Sequence, residues 1–338
     1  MSFIIPHTLL SNDSFEKLRR LLLAKVQLRE VIDIGPGVFE SASNETMVFV
    51  ATNLPATDDT RARVFTTKAD SFPSPIKDFR IQQKDWLQNP KATWLVNVSD
   101  SELAIVGKMD RAGATLGSFC TINQGLRTGD NKKYLSTQPA SGKWKPAVGG
   151  KDVGRYEPLP EGLYVYYDPV ALDAPRKKEI FESSEKLVVQ EIRNITLPRR
   201  IVATYDNRQF YCLQSTNVVN LRPGMNRYAL KYLLAILNSN AVNFFFRQRF
   251  PGNNHIPSNQ LAQIPIPASE RAEHDAIVKL VERILAAKRA APDADTTAWE
   301  REIDERVYRL YGLTPDEIKI VEDRVPGPAS NVAEGKSA

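Results

Sequence analysis

Val31-Ile-Asp-Ile-Gly35 and Thr46-Met-Val-Phe-Val-Ala51, preceded by Ser2-Phe-Ile-Ile-Pro6, decide how the chain begins. Each is a short apolar run rich in β-branched residues and bounded by glycine, proline or polar residues, which is the pattern of a strand. Between the first and second runs, Leu18, Leu21, Leu22 and Val26 recur at helical spacing and predict one apolar helix face. Residues 1–52 therefore read as strand, helix, strand, strand, with Ser2–Ile5 as a buried strand. A βαββ piece of about 50 residues does not cover the faces and edges of a mostly parallel sheet. Its inner strand would present unpaired backbone groups. Either another part of this chain completes that sheet or another chain does.

Working outward, residues 55–110 are rich in Pro, Asp, Thr and Lys, with weak periodicity around Trp86 and Trp94, and read as a long connection with one or two short strands. From 111 to 270 short β-like runs alternate with Gly, Pro and Asn turns: Leu163–Tyr167, Leu187–Gln190, Ile201–Tyr205 and Phe210–Leu213. One helix, from Arg227 to about Phe246, interrupts them. Phe244, Phe245 and Phe246 are expected in its core. Beyond Ile264-Pro-Ile-Pro267 the pattern turns helical. Ile277, Leu280, Val281, Ile284 and Leu285 line one helix, and Trp299, Ile303, Val307 and Leu310 a second. Thr314-Pro-Asp-Glu317 opens a third with a capping box and proline at its first position. Residues 271–325 read as a helical hairpin packed on the preceding domain, and 326–338 as a disordered tail. The fold class is α+β: a partial α/β sheet edge over 1–54, a mixed domain over 111–270, then helices.

The 338-residue chain carries a formal net charge of +5, distributed unevenly. Residues 111–260 contain 21 Lys and Arg against 11 Asp and Glu. From Ile192 to Gln260 the only acidic residue is Asp206, against nine basic ones. So cationic a middle segment suggests a polyanionic partner. No apolar run approaches a membrane span. Cys120 and Cys212 are too few for a disulfide framework and fit a reducing, cytoplasmic compartment. His7, His255 and His274 show no metal-ligand spacing.

These segments, in this order, resemble a known family. Ser2-Phe-Ile-Ile-Pro-His7, Val31-Ile-Asp-Ile-Gly35 and Val38-Phe-Glu-Ser-Ala-Ser-Asn-Glu-Thr46 are similar to the last part of the catalytic domain of N6-adenine DNA methyltransferases of type II and IIG restriction-modification systems. Ile122-Asn-Gln-Gly-Leu-Arg-Thr-Gly-Asp-Asn131, Gly150-Lys-Asp-Val-Gly-Arg-Tyr156 and Leu233-Leu-Ala-Ile-Leu-Asn-Ser239 are similar to the TaqI-like C-terminal specificity domain. Ile264-Pro-Ile-Pro267 and Ile303-Asp-Glu-Arg-Val-Tyr-Arg-Leu-Tyr-Gly312 fit the same family. Its members bind S-adenosylmethionine through a Phe-x-Gly-x-Gly-like loop and hold the target adenine with Asn-Pro-Pro-Tyr. Neither motif is present: Gly35-Pro-Gly37 lacks the spacing, and Asn89-Pro90 is followed by Lys91.

The resemblance thus implies a chain that starts at the fifth strand of a seven-stranded sheet, with no catalytic or cofactor-binding residues of its own. S-adenosylmethionine would belong to the complete enzyme, and a separately encoded catalytic methyltransferase half would be the protein partner. Phe39 matches the family's phenylalanine that stacks on the flipped adenine, which needs a planar apolar surface once it leaves the duplex. The alternatives are a non-catalytic DNA-binding specificity subunit or the remnant of a longer methylase.

For reading double-stranded DNA, the loop Asn123 to Lys133 stands out. Gly125 and Gly129 permit close backbone approach, while Arg127, Thr128, Asn131, Lys132 and Lys133 supply donors and charge. Arginine pairs with guanine and asparagine with adenine in the major groove, whereas lysines and hydroxyls mostly meet phosphates. Arg193, Asn194, Arg199 and Arg200 form a second group with Arg208 nearby, and Asn253, Asn254 and His255 a third, following Arg247 and Arg249. All are placed on the DNA face.

Overall fold

The structure is a computed structural model that describes residues 1–338 apart from 36, 40–44, 97, 140–141, 195–196, 226, 251–253 and 326–338. It divides into two units, Met1–Val106 with Gln248–Gly252, and Gly107–Arg247 with Asn253–Ala338.

In the first unit, strands β1 (Ser2–Pro6), β2 (Gln27–Gly35), β3 (Thr46–Thr52), β4 (Arg61–Thr66) and β5 (Lys77–Gln82) form one sheet in the order β1-β3-β2-β4-β5. Strand β3 runs antiparallel to both neighbours, β2 and β4 are parallel with Val31 opposite Val64, and β5 returns antiparallel to β4. The sheet is therefore mixed, not mostly parallel. The 55–110 segment does more than connect: its two strands cover the outer edge of β2. Leu28, Val31, Met47, Phe49, Val64 and Ile81 are buried on one face. Against them Trp86 stacks on Trp94 with ring centroids 5.5 Å apart, and Trp94 meets Phe49 edge-on at 6.0 Å. Ile32, Ile34 and Phe65 form a smaller cluster elsewhere on the same sheet.

Two expectations for the opening segment are corrected. The helix Glu16–Lys25 turns Arg19 and Leu23 inward, and Leu18 and Leu21 are exposed. The Arg19 guanidinium is buried because backbone carbonyls surround it: Leu9 O at 2.9 Å, Asn12 O at 2.8 Å, Lys91 O at 2.9 Å and Ala92 O at 3.1 Å. Its desolvation is thereby offset by charge-assisted hydrogen bonds. Strand β1, read as buried, is an edge with Phe3 and Ile4 about half exposed, at 50% and 48%.

The second unit carries two four-stranded sheets. Strand β6 is Cys120–Gln124, β7 Leu135–Ser136, β8 Trp144–Val148, β9 Tyr164–Tyr166, β10 Lys186–Gln190, β11 Ala203–Asp206, β12 Tyr211–Cys212 and β13 Thr216–Leu221. Their orders are β11-β10-β13-β6, antiparallel throughout, and β12-β8-β9-β7, in which β12 and β8 are parallel. Val148, Val165, Phe181, Val188, Tyr211 and Val218 bring both sheets into one core.

The expected single helix over 227–246 is two, Leu230–Asn238 and Asn240–Arg249. Ser239 is extended at the junction, and its hydroxyl accepts the Val242 N–H at 3.2 Å, which starts the second helix. Two helical asparagines then serve the backbone at the start of β11, which is buried, and the residues just before it. Asn238 gives and takes 3.0 Å bonds with the Ala203 backbone, and Asn243 Oδ1 accepts the Arg200 and Ile201 N–H groups at 2.7 Å each. Phe244, Phe245 and Phe246 are buried as expected.

Helices Arg271–Ala290 and Thr297–Leu310 pack on each other, with Ile277, Val281, Ile284, Ile303 and Val307 inside. Helix Pro315–Arg324 opens with the expected capping box: Glu317 N–H to Thr314 Oγ1 at 3.3 Å, and Thr314 N–H to Glu317 Oε2 at 2.8 Å. The Gly-Arg-Tyr turn ends against the second of these helices. There Arg155 pairs with the buried Glu300, and the buried Asp304 accepts the Asn240 N–H at 2.7 Å. Among the described residues, no helix is long and apolar enough to cross a membrane, and no group of His, Cys, Asp or Glu could hold a metal ion.

Candidate nucleic-acid interface

Phe39 follows the end of β2, and its side chain is exposed. Residues 40–44, which follow it, lie outside the described residues. At the same end of the sheet His7 lies 3.5 Å from Asp33 and 3.3 Å from Glu45. Burial opposes a charge on His7, but the hydrogen bond and charge of Asp33, aided by Glu45, raise its pKa above the ordinary imidazole value.

The 123–133 stretch is more ordered than a free loop. Asn123 sits within β6 opposite Val218. Gly125 is needed for a close approach, yet the approaching chain is its own: a Cβ there would lie 2.2 Å from Leu213 O and 2.4 Å from Cys212 O. Thr128 is buried and donates its hydroxyl to Asn131 Oδ1 at 2.5 Å, so these two side chains hold each other. Asp130 accepts the Lys133 N–H at 3.2 Å and begins the turn 131–134. Lys133 lies over the Tyr134 ring, 5.0 Å from its centroid, and Lys132 is exposed. Arg127 is exposed and contacts Asp173 through Nε.

The second and third groups converge although about sixty residues separate them in sequence. Ile192 and His255 form an antiparallel bridge, Arg193 N–H donates to Asn254 O at 2.8 Å, and Ile256 N–H to Glu191 O at 2.7 Å. Arg193 Nε reaches back to Arg199 O at 2.6 Å, and Arg247 donates to Leu197 O at 2.7 Å. His255 is exposed, with Nδ1 2.9 Å from Glu191 Oε1. Asn253 lies outside the described residues.

Arg199 and Arg200 are buried, at 1% and 3% exposure, so the structure places them beneath this surface and not on it. Arg200 pays for that position electrostatically: burial first, then the charges of Arg247 and Arg193, lower its pKa to about 10. Burial accounts for most of that fall, and the two neighbouring arginines add to it. Arg208 stands apart, paired with Glu161 and packed on the Phe210 ring.

Sequence reasoning missed Arg176. It has a left-handed backbone, at φ 58°, and runs its side chain along the same seam as Arg127, 3.3 Å from Gln124 Oε1. It also missed the carboxylates opposite the cations. Asp173 faces Arg127, Asp168 faces Lys143 at 2.7 Å, and Glu182 faces Lys145 at 3.5 Å. Nothing in linear spacing signals such pairs, since they join segments 25 to 46 residues apart.

Residues 145–266 match the family model described as a TaqI-like C-terminal specificity domain. The match includes the convergent 193–200 and 254–255 groups and begins after the 123–133 turn. Among solved structures the chain resembles the type IIL restriction-modification enzyme MmeI in complex with DNA, at 13% identity and a TM-score of 0.60, over 96% of this chain and 49% of that one. It also resembles a nuclease-deletion mutant of the type ISP restriction-modification enzyme LlaGI in complex with a DNA substrate mimic, at 9% identity and a TM-score of 0.51, over 85% of this chain and 29% of that one. The chain thus spans about half the length of the MmeI chain and less of the LlaGI chain. No curated protein sequence matches it. The fold shared with these enzymes is the mixed α+β arrangement described above.

Proposed function

We propose that this chain recognises double-stranded DNA for site-specific adenine N6 methylation in a restriction-modification type system. The carrying observation is the convergence of Arg193, Asn254 and His255 over the buried Arg199 and Arg200, inside the stretch that matches a specificity-domain model. Two distant segments joined by backbone hydrogen bonds make a rigid cationic surface, which suits phosphate contacts that set register. Arg127, Lys132, Lys133 and Arg176 would supply the neighbouring contacts.

Transfer itself requires parts that this sequence lacks. A catalytic methyltransferase half would bring S-adenosylmethionine and the Asn-Pro-Pro-Tyr segment, and would continue the first unit's sheet at β1. That edge supports the reading, because Phe3 and Ile4 leave apolar surface uncovered along it; Leu18 and Leu21 do the same on helix Glu16–Lys25. Phe39 would stack on the flipped adenine.

The test combines binding and transfer. The chain alone should bind duplex DNA with an affinity that falls steeply with salt, and should transfer no methyl group from S-adenosylmethionine. With a catalytic half supplied, the mixture should methylate adenine at one sequence. Salt-independent binding, or methylation by the chain alone, would overturn the proposal.

A further inference from the structure

One exposed arginine in the second unit is held in a way that bears on which base it meets. Arg127 and Ala174 exchange two backbone hydrogen bonds, each 2.9 Å, and Asp173 N–H donates to Thr128 O at 3.4 Å. These bonds zip the 125–130 turn to the 171–176 segment. Gly129 makes the closeness possible: at φ 80° it turns the chain directly over Asp173, where an added Cβ would lie 3.1 Å from the Asp173 Cβ. The zip leaves the two side chains facing each other, and an Asp173 carboxylate oxygen contacts Arg127 Nε.

An ion pair so exposed adds little stability, since solvent screens it and both side chains lose freedom. Its geometric effect is larger. A carboxylate at Nε fixes the plane of the guanidinium and leaves the two Nη groups as the donors open to a ligand. Those two donors match the O6 and N7 acceptors of guanine in the major groove. A pre-oriented fork also loses less rotamer entropy on binding than a free arginine does.

We propose that Asp173 is a positioning residue that presents Arg127 to one guanine of the recognition sequence, an inference that rests on the DNA-recognition reading above. Asp173 itself touches no base. Its carboxylate would repel the duplex in general, so its presence trades non-specific affinity for discrimination at one position. That combination separates it from a phosphate-binding residue, whose loss weakens all sequences alike.

The experiment selects bound duplexes from a pool with a randomised 20-base-pair centre, using the full chain, Asp173→Asn and Arg127→Lys. Affinity for one fixed unrelated duplex is measured alongside. The wild-type chain should enrich a motif containing guanine. Asp173→Asn should lose preference at one guanine, on the order of tenfold, while binding the unrelated duplex as well as wild type or better. Arg127→Lys should lose the same position. A motif left intact at every position by Asp173→Asn overturns the inference and leaves the DNA reading standing. Enrichment of no motif by the wild-type chain defeats the DNA reading, and this inference with it. Should Asp173→Asn fail to unfold cooperatively like the wild type, Arg127→Lys decides the matter: a guanine preference that survives it overturns the proposal.

Discussion

Arg19 and Arg193 show how one residue type does opposite work in this chain. Arg19 is enclosed and spends its donors on four backbone carbonyls, whereas Arg193 braces a surface loop through Arg199 O and Gln190. Replacing Arg19 by Ala strands those carbonyls in a dry environment and should destabilise the first unit by about 3 kcal/mol, read as a lower urea midpoint. Arg193→Ala should leave the midpoint near wild type and reduce the slope of log affinity against log salt by about 1. Phe39→Ala in a reconstituted complex should lower methyl transfer while duplex affinity stays near wild type; unchanged transfer would remove Phe39 from the adenine pocket. The sequence marked Arg193 and Phe39 as candidates through charge and motif. It did not single out Arg19, because nothing in a Leu-Arg-Arg-Leu stretch says which arginine faces carbonyls from 72 residues away.

Elements are joined here by buried polar groups as much as by apolar ones. Asn238 bonds the first residue of β11 and Asn243 the backbone of Arg200 and Ile201 before it, and Asp304 ties helix Thr297–Leu310 to the start of helix Asn240–Arg249. Full burial raises the Asp304 carboxyl from 3.8 to about 6, with Glu300 adding to the rise, while Arg155, the Asn240 N–H and Arg199 oppose it. The sign follows from linkage: a carboxyl whose folded pKa is raised favours the fold in its protonated form. That contribution is complete below about pH 4 and is lost as pH climbs through about 6, for a total of about 2 to 3 kcal/mol. Asp304→Asn keeps an acceptor for the Asn240 N–H and cannot ionise. Its unfolding free energy should therefore change less between pH 4 and 7 than that of wild type, by denaturant titration at each pH. Sequence periodicity found these helices but fused the first two, because Asn238-Ser239-Asn240 carries neither the glycine nor the proline that usually marks a break.

At the scale of the molecule, the first unit presents apolar residues outward and the second presents cations. Leu18→Glu with Leu21→Glu should not lower the stability of the first unit, since both side chains are exposed. The pair should abolish assembly with a catalytic half by gel filtration; assembly that persists would place the partner elsewhere. Hydrophobic spacing, charge distribution and turn residues by themselves determined that the chain is α+β, that it opens with strands needing neighbours, that its middle is cationic and that it ends in helices. Only the tertiary structure decided that β4 and β5 supply one set of neighbours while β1 stays an edge. It also decided that Arg199 and Arg200 lie beneath the basic surface, and that Asp173 meets Arg127. The physical reason is that local pattern fixes backbone conformation residue by residue, whereas burial and ion pairing depend on which distant segments meet.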